Sequence, residues 1–211
     1  MNRESEYPTH LRDILIEAWS LYIGDSHCLT IDLLLPLTEQ ILTSGKSMYA
    51  LCDSLVVVGR WYEAIDLLKR VDPSEFPKNG FLLSFCLGRA YEYSGSFEKA
   101  MNCYTNAIKQ NADGPRPQHV YAAATMNWRL GRIAEAVQLF SDSFRHDREK
   151  VFQEREVCSM MAVLFQAADD RSPAIANARR ALVGSGDGLI AKRAKAVLTN
   201  YGLPELSETG N

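Results

Sequence analysis

The residues with reactive side chains are few, and their spacing does not assemble a reaction centre. Ser26, His27 and Cys28 are adjacent, and a histidine beside a thiol is the pair that activates cysteine nucleophiles. Side chains of neighbouring turn residues point apart, however, so we interpret these three as turn and core residues. The five cysteines contain no CxxC pair, the four histidines lie far apart, and the GxSxG, HExxH and phosphate-loop patterns are absent. The sequence therefore predicts no catalysis, no metal site and no cofactor.

Charge and hydropathy narrow the class of protein. Of 211 residues, 46% are hydrophobic and the net charge is −3, which indicates a globular chain without a strong field for nucleic acid. The charge is uneven, because residues 1–40 hold two basic and seven acidic side chains. The apolar stretch from Leu29 to Leu37 is interrupted by Asp32 and Pro36 and is too short to cross a bilayer, and the first ten residues lack an apolar signal core. With the odd number of cysteines, these features predict a soluble cytoplasmic protein that does not insert into membranes.

A repeat with a period of 36 residues organises the chain. Gly59, Gly95 and Gly131 are 36 residues apart, and an alanine follows each glycine five positions later. A large apolar side chain follows each alanine at the spacing of a helix face, and a second helical stripe precedes each glycine. Each unit is therefore predicted to be two antiparallel helices joined by a glycine turn, with the alanine at their close crossing. The alanines are Ala64, Ala100 and Ala136, and the large apolar residues are Leu68, Tyr104 and Phe140.

The same pattern divides the rest of the chain into helical segments. A weaker fourth copy has Asp169 in the glycine position and Ala174 in the alanine position. Two further predicted helices, 8–23 and 28–43, lack the signature, so this N-terminal pair is either a cap or a degenerate repeat. The predicted segments are the N-terminal pair (1–44), four repeats (approximately 45–78, 81–114, 117–150 and 155–188), a capping helix (189–201) and a disordered tail (202–211).

The second unit resembles a tetratricopeptide repeat. That family places Leu, Gly or Ala, and Tyr in the first helix, followed by Ala, an aromatic residue and Ala in the second. The matching residues here are Leu87, Gly88, Tyr91, Ala100, Tyr104 and Ala107. The period of 36 exceeds the 34 of the family, which implies longer links between repeats. The resemblance implies an all-α fold, an α-solenoid of antiparallel helix pairs forming a right-handed superhelix, with about four repeats and a helical cap at each end.

The resemblance also implies where a partner would bind. In a tetratricopeptide superhelix the first helix of each repeat lines the concave face. Tyr49, Phe85 and Tyr121 occupy equivalent inward positions, where flat apolar rings would form a docking surface. The alternative is that these aromatic residues only fill contacts between repeats. The full set of candidate groove residues is Lys46, Tyr49, Asp53, Phe85, Arg89, Tyr93, Tyr121, Trp128 and Arg129.

Protein binding is the function that follows from the resemblance. We expect an adaptor or scaffold that captures a peptide or helix of a partner in the groove, with Arg89 and Arg129 setting its charge preference. The alternatives are a structural subunit of a large assembly that uses caps and outer surfaces, and a dedicated chaperone of secretion substrates. A homodimer through the acidic N-terminal helices is a further alternative. Family members that clamp C-terminal carboxylates carry Lys and Asn where Tyr49 and Asp53 stand, so that ligand is disfavoured.

Overall fold

The computed structural model describes residues 7–143, 155–183 and 188–204, and all regular elements in these ranges are helices. The chain divides into two compact units, Met1–Gly114 and Pro115–Asn211. Within the described ranges, none of the helices has the length and apolar character needed to cross a membrane. Parts of three predicted segments lie outside the described residues: 144–150 of the third repeat, 184–187 of the fourth repeat and 205–211 of the tail.

Unit 1 consists of helix pairs with two short 3₁₀ segments. In this unit, α4 packs against α1, α2, α5 and α6, and the residues from Leu51 to Val56 are all buried. The helices are α1 (Thr9–Ile23), α2 (His27–Leu34), α3 (Thr38–Ile41), α4 (Gly45–Val57), α5 (Trp61–Leu68), α6 (Gly80–Tyr93) and α7 (Phe97–Gln110), and the 3₁₀ segments are Leu35–Leu37 and Pro73–Glu75.

Unit 2 continues the arrangement of consecutive antiparallel pairs. The α8–α9 and α10–α11 pairs are followed by α12, which packs on both α10 and α11. The helices are α8 (Pro117–Arg129), α9 (Ile133–Ser143), α10 (Arg155–Ala167), α11 (Arg171–Leu182) and α12 (Leu189–Asn200).

Pro36 divides the helix predicted over 28–43. The structure has α2 up to Leu34, a 3₁₀ turn over Leu35–Leu37, and only then the short α3. Proline has no backbone N–H, and its ring clashes with the carbonyl four residues earlier, so an α-helix does not run through it unbroken. The prediction of one continuous helix here was therefore wrong.

Five of the described helix pairs close through the same turn. At its centre lies a residue with positive φ, and the next N–H donates to the carbonyl five residues before it, as Arg60 does to Leu55 at 2.8 Å. This confirms the predicted role of the three glycines and adds two aspartates in the same conformation. The central residues are Asp25 (φ 56°), Gly59 (86°), Gly95 (79°), Gly131 (76°) and Asp169 (58°).

Each turn is followed five residues later by a small side chain that is fully buried. These side chains are Thr30, Ala64, Ala100, Ala136 and Ala174, each 0% exposed. The prediction of a small residue at the close crossing is thus confirmed for the glycine repeats and for the weaker copy. The first pair, α1 and α2, is built in the same way although it lacks the glycine and alanine. This geometry favours the degenerate repeat over the simple cap.

Gly88 of α6 lies where α7 comes closest. A Cβ at this position would be 2.5 Å from Cδ1 and Cε1 of Tyr104. The Tyr104 ring is fully buried, and its hydroxyl donates to Glu92 Oε2 at 2.7 Å, so it has no free space to move into. The absence of a side chain at Gly88 is therefore required by the α6–α7 packing.

We expect Gly88→Ala to lower the free energy of unfolding by about 1–3 kcal/mol through overpacking, despite the better helix propensity of alanine. Urea denaturation followed by circular dichroism measures it. Gly24→Ala is the matched control, because Gly24 has negative φ and its Cβ would come no closer than 3.4 Å to a neighbouring atom. Equal stability of the two variants would contradict the packing argument.

His119 is a buried histidine that we expect to make unit 2 less stable in acid. The residue is 1% exposed, and burial, aided by Arg116, lowers its pKa to about 4. The unfolded chain binds a proton near pH 6.5, so stability is lost as pH falls from about 6.5 to about 4, by up to about 3 kcal/mol. Replacing His119 by Gln should flatten the dependence of unfolding free energy on pH in this window. Urea denaturation of both proteins at pH 7 and pH 4.5 tests this. An equal loss of unfolding free energy between the two pH values in both proteins would refute it.

Candidate functional site

The first helices of consecutive pairs pack side by side within each unit. In unit 1, α1 packs on α4 and α4 on α6, and in unit 2, α8 packs on α10 and α10 on α12. The candidate groove residues divide accordingly. Six lie on α4 and α6 of unit 1, and we call these six the first-helix face of unit 1: Lys46, Tyr49, Asp53, Phe85, Arg89 and Tyr93. The other three, Tyr121, Trp128 and Arg129, lie on α8 of unit 2.

An ion pair joins α4 to α6 at the centre of this face. Arg89 Nη1 donates to Asp53 Oδ1, and the hydroxyl of Tyr22 on α1 donates to Oδ2 at 3.0 Å. Asp53 is 6% exposed, and the Arg89 side chain is 26% exposed. The two residues are 36 apart and occupy equivalent positions in successive repeats. The charge that the sequence predicted to select a ligand is thus compensated inside the unit.

Two tyrosines beside this pair are held in the neutral form. Burial, with the charge of Asp53, raises the pKa of Tyr49 to about 12. Burial also raises the pKa of Tyr22 well above its ordinary value, with further contributions from Tyr49 and Asp53. The two rings meet edge to face, with centroids 5.8 Å apart. A neutral phenol keeps its proton and can donate to the carboxylate, so Tyr22 is part of the site.

Tyr22 is the residue of this network that sequence reasoning missed. Its ring lies beside that of Trp19 on the same helix, with the ring centroids 5.3 Å apart. The repeat signature would have aligned α1 with α4 and α6, but Asp25 and Thr30 replace the glycine and alanine that carry it. The signal that could have identified Tyr22 was therefore the turn itself, which becomes visible only in the backbone.

The aromatic residues of the face differ in how much ring they present. Tyr93 is 54% exposed, and one side of it stacks on Trp61 of α5, with centroids 5.8 Å apart and planes 18° from parallel. Phe85 is half-buried against Tyr104, at 5.3 Å between centroids, and Tyr49 is half-buried beneath Tyr22. Tyr93 is consequently the most accessible of the three rings for a partner.

The three candidate groove residues of unit 2 differ in how far they are exposed. Trp128 is 42% exposed and Arg129 is exposed, whereas Tyr121 is half-buried. The hydroxyl of Tyr121 accepts a hydrogen bond from Arg193 Nη1 at 3.0 Å. Arg193 belongs to α12, so α8 and α12 contribute jointly to this part of unit 2.

Removing one member of the Asp53–Arg89 pair should cost stability. Arg89→Gln leaves a buried carboxylate without its cation, and we expect a loss of about 1–3 kcal/mol, below that of a fully buried pair because Arg89 is partly hydrated. Asp53→Asn together with Arg89→Gln should lose less than the two single changes added. The control is Arg70→Gln, in the exposed pair with Glu39, which should change stability little. Additive losses in urea denaturation would argue against coupling.

Comparison with known structures identifies the fold. No protein-family model and no curated protein matches the chain. The crystal structure of YrrB, described as a TPR protein with an unusual peptide-binding site, is 15% identical, with a TM-score of 0.64 over 87% of this chain and 90% of its own. MamA is 12% identical, with a TM-score of 0.64 over 98% and 100% of the two chains. The thermophilic TPR protein TTC0263 of Thermus thermophilus is 16% identical, with a TM-score of 0.61 over 89% and 98%. The chain therefore has the all-α fold of consecutive antiparallel helix pairs that tetratricopeptide repeat proteins share.

Proposed function

We propose that the protein is a non-catalytic adaptor that binds a peptide or helix of a partner protein on the first-helix face of unit 1. The observation that carries the proposal is the exposed ring of Tyr93, which lies beside a charged pair that is already neutralised. Tyrosine, tryptophan and arginine are the residues that most often dominate binding energy in protein interfaces. The fold shared with YrrB, whose crystal structure is described as having a peptide-binding site, supports the same reading.

Pre-organisation is what the buried network contributes to such binding. Tyr22, Asp53 and Arg89 satisfy one another, so they hold α1, α4 and α6 in register before any ligand arrives. A face that does not rearrange loses less conformational entropy on binding. Partner selection then depends on the accessible ring of Tyr93 and the ammonium of Lys46. In unit 2, Trp128 and Arg129 form a second candidate contact.

The cytoplasm is the compartment that we propose. The five cysteines are all free thiols, and Cys52 and Cys86 are fully buried. Burial raises the pKa of the Cys52 thiol, which keeps it protonated and unreactive. Unpaired buried thiols are typical of proteins kept in a reducing environment.

A second candidate function is that of a subunit in a larger assembly. Three large apolar side chains are exposed on the first two helices: Ile16 (69%), Ile23 (64%) and Leu29 (53%). Exposed apolar side chains near one end of a helical array are suited to contact another subunit. If this candidate is correct, sedimentation of the wild-type protein should show a dimer or larger species, and Ile23→Glu with Leu29→Glu should convert it to a monomer.

The adaptor proposal is tested with peptides selected from a random display library on the purified wild-type protein. We expect Tyr93→Ala to weaken their binding at least tenfold by fluorescence anisotropy, because the ring is the accessible part of the face. Tyr62→Ala is the matched control, since Tyr62 is a tyrosine at least as accessible as Tyr93, 68% against 54% exposed, on the second helix α5. The reverse result, with binding lost only in Tyr62→Ala, would assign binding to the outer helices and contradict the proposal.

A further inference from the structure

A cavity of about 220 Å³ lies between α1 and α4. Its walls are mainly apolar and include Leu15, Ile16, Trp19 and Leu34. Two cations, Arg12 and Lys46, also line it. Pockets that enclose a whole small ligand are usually larger, roughly 300–1,000 Å³, so this volume suits one large side chain. An α-helix, about 10 Å wide, does not enter such a space.

The charge of the lining is opposite to that of the chain around it. Residues 7–59 contain only two lysines or arginines, Arg12 and Lys46, and both line the cavity. The same stretch contains six aspartates and glutamates, and none of them lines it. The cavity is therefore a positive site in the most acidic part of the protein, which favours a negatively charged group over a positive one.

The apolar wall and one of the cations are held together. Lys46 Nζ lies 4.1 Å from the centroid of the Trp19 ring, and this ring also contacts Tyr22. A side chain that packs on the indole consequently has the ammonium beside it. Arg12 is exposed on α1, one turn before Leu15 and Ile16. Both cations can thus reach a carboxylate next to the inserted side chain.

We propose that this cavity binds one large apolar side chain of a partner peptide in which a directly neighbouring residue is Asp or Glu. The inference rests on the proposed function in one respect, because it takes the ligand to be a protein segment. Lys46 belongs both to the cavity and to the first-helix face of unit 1, so a chain that enters the cavity continues along that face. The carboxylate is for this reason a side chain within the peptide and not the end of a chain.

The test uses the acetylated and amidated hexapeptide Gly-Ser-Glu-Phe-Ser-Gly on the full-length protein. We expect a saturable shift of the Trp19 indole N–H in two-dimensional NMR, with millimolar affinity. The variant peptide with Lys in place of Glu should bind at least fivefold more weakly. The variant peptide with Ala in place of Phe should show no saturable shift. Equal binding of the Glu and Lys peptides, or no shift of Trp19, would overturn the proposal.

A charge reversal provides the second arm. Arg12→Glu with Lys46→Glu should reverse the preference, so that the Lys peptide binds better than the Glu peptide. Lys69→Glu with Lys78→Glu reverses two exposed lysines elsewhere in unit 1 and should keep the wild-type preference. An unchanged preference in the first variant would overturn the proposal. Should that variant fail to fold, Arg12→Glu alone carries the same test, with at least a twofold loss expected.

Two further controls distinguish the cavity proposal from the adaptor proposal and from the binding of peptide C-termini. Tyr62→Ala, on α5 and outside both the cavity lining and the first-helix face, should leave hexapeptide binding unchanged. The response of Tyr93→Ala to the library-selected peptides reports on the adaptor proposal separately, so the two proposals can fail independently of each other. The tetrapeptide Gly-Ser-Gly-Phe with a free C-terminus supplies the carboxylate from a chain end. Tighter binding of this tetrapeptide than of the hexapeptide would assign the cavity to chain ends and contradict the internal segment proposed here.

Discussion

The close antiparallel crossing of two helices is the constraint on which this structure depends. A chain that reverses direction within a few residues needs one residue in the left-handed region, and helices that come this close need a small side chain where they cross. Each of the five turns meets both requirements, with Gly or Asp at the centre and Ala or Thr buried five residues later. The buried apolar residues of both helices recur at helical spacing from these two positions. This holds also for the α1–α2 pair, which lacks the glycine and the alanine.

The second organising interaction joins one repeat to the next. Asp53 and Arg89 occupy the same position in successive first helices, so the spacing of the repeat places a carboxylate opposite a guanidinium. An ion pair in this location fixes the register of α4 against α6, which apolar contacts alone would allow to shift. The hydrogen bond from Tyr22 extends the same constraint to α1. The same residues would have been free to select a ligand if they had not been paired, so register between helices and charge selectivity compete for them.

Much of the fold follows from local sequence signals, and less of the site does. Glycine spacing and helical periodicity predicted the paired helices from α4 to α9, because both signals act within a few residues. Pro36 breaks the helix predicted over 28–43 by a steric rule that acts within one turn. The α1–α2 pair carries a weaker repeat signal in its sequence, because Asp25 and Thr30 satisfy the geometry without being the expected glycine and alanine. Partners across helices, such as Arg89 with Asp53 or Tyr93 with Trp61, depend on rotamers and crossing geometry that spacing alone does not specify.

The two aspartates at turn centres have a consequence for the motions of the protein. A residue other than glycine in the left-handed region costs roughly 1 kcal/mol, which the short polar side chain of aspartate only partly offsets. Asp25 and Asp169 therefore make the α1–α2 and α10–α11 turns more strained than the glycine turns. Local opening requires less free energy where strain is released on opening. Amide protons at these two turns should accordingly exchange with solvent sooner than those at Gly59 and Gly95.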